Sequence, residues 1–145
     1  MERRELLTVG ISALATAMTV DATSTAGART SQPAAAPRAT PLGAHSLGKA
    51  FAEWYGTMIE VTYPPGASSS AHQHPGPTFG YVVSGKVKWA IDGEPAKILE
   101  AGQAFFEPMG SVHSTSANAS VTEPAVLSVV ILSRPGEPMS KPVTG

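Results

Sequence analysis

The sequence predicts an all-β fold, a double-sheet jelly roll closed into a barrel, on three observations. From Ala50 onward apolar residues come in short bursts between turn residues, with no 3.6-residue period sustained over three helical turns. The bursts recur at roughly ten-residue intervals, the spacing of a sandwich or barrel. Thirteen prolines and fourteen glycines against only 14% charged residues suit short strands and many turns better than packed helices. A jelly roll closes the sheet edges without needing helices to cover them.

Strands are expected at 57–62, 78–83, 86–91, 96–99, 103–107, 112–115 and 125–132. The turns between them have identifiable chemistry. Ser84-Gly85 and Asp92-Gly93 supply residues that tolerate positive φ in tight hairpins, Ala101-Gly102 supplies another, and Pro108-Met109-Gly110 makes a rigid corner. Phe79, Tyr81, Trp89, Phe105 and Phe106 fall on these strands, where aromatic side chains usually fill a barrel. Adjacent strand residues face opposite sides, so only one of Phe105 and Phe106 can line an interior pocket.

The chain has 145 residues, enough for one compact domain and too few for two well-buried ones. Residues 1–28 read as an export signal. Arg3 and Arg4 precede a weakly hydrophobic run over 6–20, and Ala26-Gly27-Ala28 offers the small-x-small pattern that signal peptidase accepts. The arginine pair before Glu5-Leu6-Leu7 resembles the twin-arginine type, with Glu2 where Ser or Thr usually stands. A run that short, containing Gly10, Ser12, Thr16 and Thr19, is too polar to span roughly 30 Å of hydrocarbon, so no stable membrane insertion is expected after processing. The expected location is periplasmic or secreted. Residues 29–41, rich in Ala, Pro, Thr and Ser, read as a disordered linker, and 42–145 as the single domain.

Ten basic and eleven acidic residues create no single-sign field, which argues against nucleic acid as a partner. The absence of cysteine excludes disulfides, thiolate ligands and thiol nucleophiles. Any metal must therefore be held by imidazole and oxygen. Three of the four histidines lie in two segments framed by glycine and proline: His72 and His74 between Gly66 and Pro77, and His113 after Pro108 and Gly110. On a strand, residues two apart project to the same side about 7 Å apart, so His72 and His74 can reach one ion. His113 from a neighbouring strand would complete a facial set of three nitrogens and leave other positions open. An H-x-H pair alone also occurs as polar spacing on a wet strand face. His45 lies outside both segments and reads as a surface residue.

These segments resemble the two motifs of the cupin superfamily, of the small single-domain, quercetin-dioxygenase-like type, with a motif core at about 56–132. Gly66, His72, His74 and Gly85 occupy four of the five fixed places of the first motif, and Thr78 stands where the family has a glutamate. Gly102, Pro108, Gly110 and His113 match the second motif, with Asn118 one place late. The resemblance implies a cupin barrel holding a divalent metal ion, Fe, Mn, Ni or Zn, through His72, His74 and His113. Without a carboxylate at Thr78 the ion would keep its full charge, bind less tightly and act as a stronger Lewis acid. Glu107, at the end of the strand before the Pro108 corner, is a candidate fourth ligand or base, the other reading being a solvated strand-end carboxylate. Glu60 is a weaker candidate because its face depends on register.

The implied function is a non-haem metal-dependent dioxygenase of a small enolisable or phenolic compound. The alternative is a non-catalytic cupin that binds a small ligand or metal. Either way a small molecule is the expected partner, and pairing into a homodimer through sheet edges is a further expectation.

Overall fold

Alternation of apolar and polar residues sets the architecture. The computed structural model describes residues 33–51 and 53–143, and among these eleven strands follow one another: β1 (Arg38–Ser46), β2 (Tyr55–Tyr63), β3 (Ser68–Ser69), β4 (His72–Gln73), β5 (Thr78–Ser84), β6 (Lys86–Ile91), β7 (Lys97–Glu100), β8 (Ala104–Glu107), β9 (His113–Asn118), β10 (Ala125–Ser133) and β11 (Lys141–Pro142). A single 3-10 turn, Lys49–Phe51, lies between β1 and β2. In β10 every second residue, Ala125, Leu127, Val129, Ile131 and Ser133, is buried, so this strand has one face on the core and one facing outward. It sits at the middle of a five-stranded antiparallel sheet ordered β1-β2-β10-β5-β8. A second sheet runs β11-β4-β9-β6-β7, with β3 also paired to β9. Ile59, Val82, Val87, Trp89, Leu127 and Ile131 from both sheets meet in one core. This is the all-β jelly roll that the sequence predicts.

Each of the seven expected strands is present, and the hairpin chemistry holds at the residues that supply it. Asp92 and Gly93 both take positive φ, 51° and 74°, as a two-residue turn between β6 and β7 requires. Gly85 has φ 76°, and a Cβ there would lie 2.5 Å from the Pro124 carbonyl oxygen. Four strands escape the sequence pattern: β1, β3, β4 and β11. None presents a buried apolar row, and each exists because a neighbouring strand offers backbone groups to pair with.

The linker expected at 29–41 needs correction at its end, because β1 begins at Arg38, inside it. Its residues pair with β2 from Arg38 opposite Thr62 to Ser46 opposite Tyr55, and a register shift between Pro41 and Gly43 absorbs the proline on this edge strand. The domain thus starts before Leu42. The export signal at 1–28 lies outside the described residues.

The aromatic residues divide in a way the sequence did not predict. Trp89 and Phe105 are buried, whereas Phe79, Tyr81 and Phe106 are about half exposed on the outer face of the five-stranded sheet. Strand parity is the reason: Thr78, Gly80 and Val82 take the inward places on β5, and Phe105 and Glu107 take those on β8. Phe105 also explains Gly80. The two are directly opposite across β5 and β8, and a Cβ on Gly80 would fall within 1.9 Å of the Phe105 ring. Gly80→Ala is therefore expected to displace Phe105 and to destabilise the fold by about 1–3 kcal/mol, the usual cost of overpacking. Urea unfolding of the two proteins measures this, and an unchanged midpoint would contradict it.

Candidate metal centre

A bulge in β9 brings the third histidine inward. Ala90 pairs with Thr115 and Ile91 with His113, which leaves Ser114 as an extra residue. Without it, His113 and Ser116, three residues apart, would face opposite sides of the sheet. With it both side chains are buried within the barrel. Gly93 N–H donates to the Ser114 hydroxyl, and that hydroxyl donates to the Ala90 carbonyl, which ties the extra residue to β6 and its turn.

His72 lies directly opposite His113 across β4 and β9, and His74 follows two residues after His72. The ring centroids are 4.9 Å apart for His72 and His74, 5.0 Å for His72 and His113, and 6.5 Å for His74 and His113. One nitrogen from each ring lies within 4.8 Å of the others, so the group could hold a metal ion.

The hydrogen bonds around the rings test that fit. His72 Nδ1 lies 2.8 Å from the Ser70 carbonyl and His74 Nδ1 lies 2.6 Å from the Met139 carbonyl. A carbonyl can only accept, so each Nδ1 carries the proton and each Nε2 keeps a free lone pair. This is the arrangement in which a backbone oxygen fixes the tautomer of a metal-binding imidazole. His113 is buried and neither of its ring nitrogens has a hydrogen-bond partner. A buried polar atom left unpaired costs the folded protein free energy, and coordination would satisfy it. The donor set, three neutral nitrogens, suits Fe, Mn, Ni or Zn better than Ca or Mg.

Glu107 is the fourth group at the site and it is buried, which rules out the solvated strand-end reading. Its Oε1 is 3.1 Å from His113 Nδ1 and its Oε2 is 3.6 Å from His74 Nε2. The first contact is close, yet its angle does not make a hydrogen bond, so proximity and not a formed bond describes it. Trp89 Nε1 donates to Oε1 at 3.3 Å. Glu107 does not join the group of three nitrogens within 4.8 Å; it stands beside two of them. Its position also accounts for Thr78. The two residues are directly opposite on β5 and β8 and both side chains are buried, so a carboxyl enters the site one strand over from the place where the family motif puts its glutamate.

Burial governs the charges here. It pushes the Glu107 carboxyl up to about 7, the Trp89 hydrogen bond opposing this. It pushes His113 down to about 3, with the neighbouring His72 and His74 rings acting in the same direction. His74 is also lowered by burial, partly offset by its bond to the Met139 carbonyl. His74, His113 and Glu107 are therefore driven towards neutrality, and their contacts are not a charged pair.

The centre opens into a cavity of about 350 Å³. Ile59, Val61, Leu127 and Val129 form much of its wall, Phe105 lines it, and Met139 and Pro142 come from the C-terminal segment. Of the two adjacent phenylalanines, Phe105 is the one that faces the pocket. β11 pairs with β4, so the segment that supplies the Met139 carbonyl is held against the strand carrying His72. His45 is exposed on β1 and Glu60 faces outward on β2, so neither joins the site. The loop 68–70 is more ordered in its pairing than a free polar loop: Ser68 and Ser69 form β3, and the Ser70 carbonyl holds His72.

Sequence reasoning missed Tyr63, Ser69, Ser116 and the Met139 carbonyl. Tyr63 continues the inward alternation of Ile59 and Val61, a signal that was available. Ser116 depends on the bulge, and Met139 on a two-residue strand, and neither leaves a pattern in the sequence. Asn118, one place late for the motif, is buried; its amide nitrogen lies within hydrogen-bonding distance of the Tyr63, Pro64 and Glu123 carbonyls and its oxygen accepts from Ser120 N–H. It pins the ends of β2 and β9 together.

Fold and site define a jelly-roll protein with a histidine-lined interior pocket. The chain belongs to the cupin family, whose cupin domain model matches residues 59–131. Among solved structures it is similar to a cupin-like protein from Thermotoga maritima, at 22% identity and TM-score 0.58, over 75% of this chain and 77% of that one. It is also similar to a protein with a double-stranded β-helix domain from Klebsiella pneumoniae, at 24% identity and TM-score 0.50, over 62% and 76%. An oxalate oxidase in complex with the substrate analogue glycolate matches at 23% identity and TM-score 0.53, over 72% of this chain and 53% of that one. At these identities the likeness is one of fold. No curated protein matches the sequence.

Proposed function

We propose that the protein is an exported metal-dependent oxygenase of a small enolisable or phenolic compound, with His72, His74 and His113 as its metal ligands. The observation that carries this reading is the convergence of three imidazoles, two of them fixed with free Nε2 lone pairs, on the wall of an apolar cavity large enough for a small molecule. A bound Fe(II) or Mn(II) ion would supply Lewis acidity and a place for dioxygen beside the substrate's oxygens. The chain supplies the rest. Ile59, Val61, Leu127 and Val129 exclude water and bind the substrate's carbon frame, which strengthens every polar interaction inside. Glu107, beside the histidines, would in its ionised form take the hydroxyl proton that an enol or phenol gives up on binding.

The test is metal content after anaerobic purification from the native host, followed by oxygen uptake with diketones, catechols and flavonols. The expected outcome is about one equivalent of iron or manganese per chain and oxygen consumption with at least one class. Metal-loaded protein that binds these compounds without consuming oxygen would overturn the enzymatic reading and leave a ligand-binding cupin. Fractionation of cells carrying the tagged full chain reads the export part separately, and retention in the cytoplasm would remove it.

A further inference from the structure

The cavity wall carries a second polar group besides the imidazoles. Tyr63 is buried at the end of β2, and its hydroxyl hydrogen-bonds both the Ser69 hydroxyl, at 2.9 Å, and the Ser116 hydroxyl. All three residues line the same cavity as the histidines. Each hydroxyl carries one hydrogen, and the cluster contains two hydrogen bonds, so one O–H hydrogen always lacks an acceptor inside it. None of the three oxygens has any other hydrogen-bond partner among the described residues. The donor left over on the cavity wall is one that an acceptor on a ligand can take.

The distance to the imidazoles follows from β9. His113 and Ser116 lie opposite Ile91 and Trp89, which are two residues apart on β6, so with the bulge between them the two inward positions are roughly 7 Å apart along the wall. Ile59, Val61, Leu127 and Val129, on β2 and β10 of the other sheet, line the same cavity. The geometry points to a substrate with two polar ends: metal-binding oxygens at one, a flat or compact apolar body, and an oxygen acceptor such as a carbonyl or ether at the other. We infer that Tyr63, Ser69 and Ser116 form the subsite that selects for that distal oxygen. This inference rests on the metal-centre reading above.

Two catechols of nearly equal shape test it, 3,4-dihydroxyphenylacetone and 4-isobutylcatechol, which differ in the carbonyl oxygen at the far end, a methylene group insulating the metal-binding oxygens from it. Zinc is used as the metal so that neither is oxidised. Zinc stoichiometry of the wild-type protein is measured first, and failure to bind zinc would sink the metal-centre reading itself. With zinc bound, the wild-type protein is expected to prefer the ketone by about 5–10-fold, the worth of one buried hydrogen bond. The triple variant Tyr63→Phe, Ser69→Ala, Ser116→Ala removes the hydroxyls and keeps the carbon frame, and it is expected to bind the two catechols equally. Equal affinities in the wild-type protein, or a preference that survives in the triple variant, would overturn the subsite while leaving the metal centre standing. The wild-type comparison alone decides the matter if the variant does not fold.

Discussion

His113→Ala is expected to abolish stoichiometric metal uptake, with affinity for Mn(II) or Zn(II) falling by more than the roughly 100-fold typical of losing a supporting group around a metal. The ring is buried and both nitrogens lack a hydrogen-bond partner, so no hydrogen bond among the described residues accounts for a polar side chain at this place. Removing it leaves His72 and His74, two ligands on one short segment, as a bidentate pair open to water on one side. His74→Ala should behave similarly, because its Nε2 is held in position by the Met139 carbonyl. His45→Ala is the matched control: His45 is exposed on β1 and its loss should change nothing. Titration by calorimetry, with metal-free protein as the starting state, reads all three. A His113→Ala protein that still takes up one equivalent within about threefold of the wild-type affinity would show that the three imidazoles do not act together. Occupancy of the wild-type site should also fall in acid, because a protonated imidazole cannot coordinate.

Most of the seven expected strands were readable because burial on one face leaves a period-two record in the sequence; β7, which buries no residue fully, and β9, whose buried residues are His113, Ser116 and Asn118, were readable from the turns that bound them. β10 and β5 are the clearest cases. The strands that bury nothing left no record. β1 carries Pro41 and mostly exposed side chains, so a reader of residues alone assigns its first part, up to Pro41, to a linker, although the unpaired edge of β2 makes pairing there favourable. The metal ligands were readable because glycine and proline spacing fixes the loops that carry them. What the spacing could not show was the bulge at Ser114, which decides that His113 faces inward, and the opposition of Thr78 and Glu107. The missing glutamate of the first motif and the carboxyl at the end of β8 lie 29 positions apart in sequence and side by side in space. Only strand register connects them. The same limit explains the aromatic residues: β propensity says that Phe79, Tyr81 and Phe106 belong in strands, and parity alone says which face they take.

Glu107→Gln is expected to make the metal-free protein more stable at pH 8 and a poorer metal binder at the same time. In the folded metal-free chain the carboxyl titrates at about 7, raised from 4.5 by burial. Between those two values the folded protein holds a proton that the unfolded chain has released, so stability declines as pH rises from 4.5 to about 7 and stays low above it. At pH 8 the ionised, buried carboxylate costs the folded state on the order of 3 kcal/mol. His113 works in the opposite direction. Its value falls from 6.5 to about 3, so the unfolded chain takes up the extra proton and stability declines as pH falls through that window. The two slopes oppose each other between 4.5 and 6.5, which gives the wild-type metal-free protein a broad stability maximum there. Glutamine removes the alkaline decline and leaves only the acid one, so the variant should gain about 1–3 kcal/mol at pH 8 and nothing comparable at pH 5. A glutamine cannot supply the negative charge that a divalent ion and its imidazole ligands favour, and metal affinity should drop by about 10–100-fold. Unfolding curves at pH 5 and 8 with and without metal give both quantities. A variant that is less stable than the wild-type at pH 8 would mean that the carboxyl is not held buried and charged there. One that binds metal as tightly would mean that Glu107 takes no part in the centre.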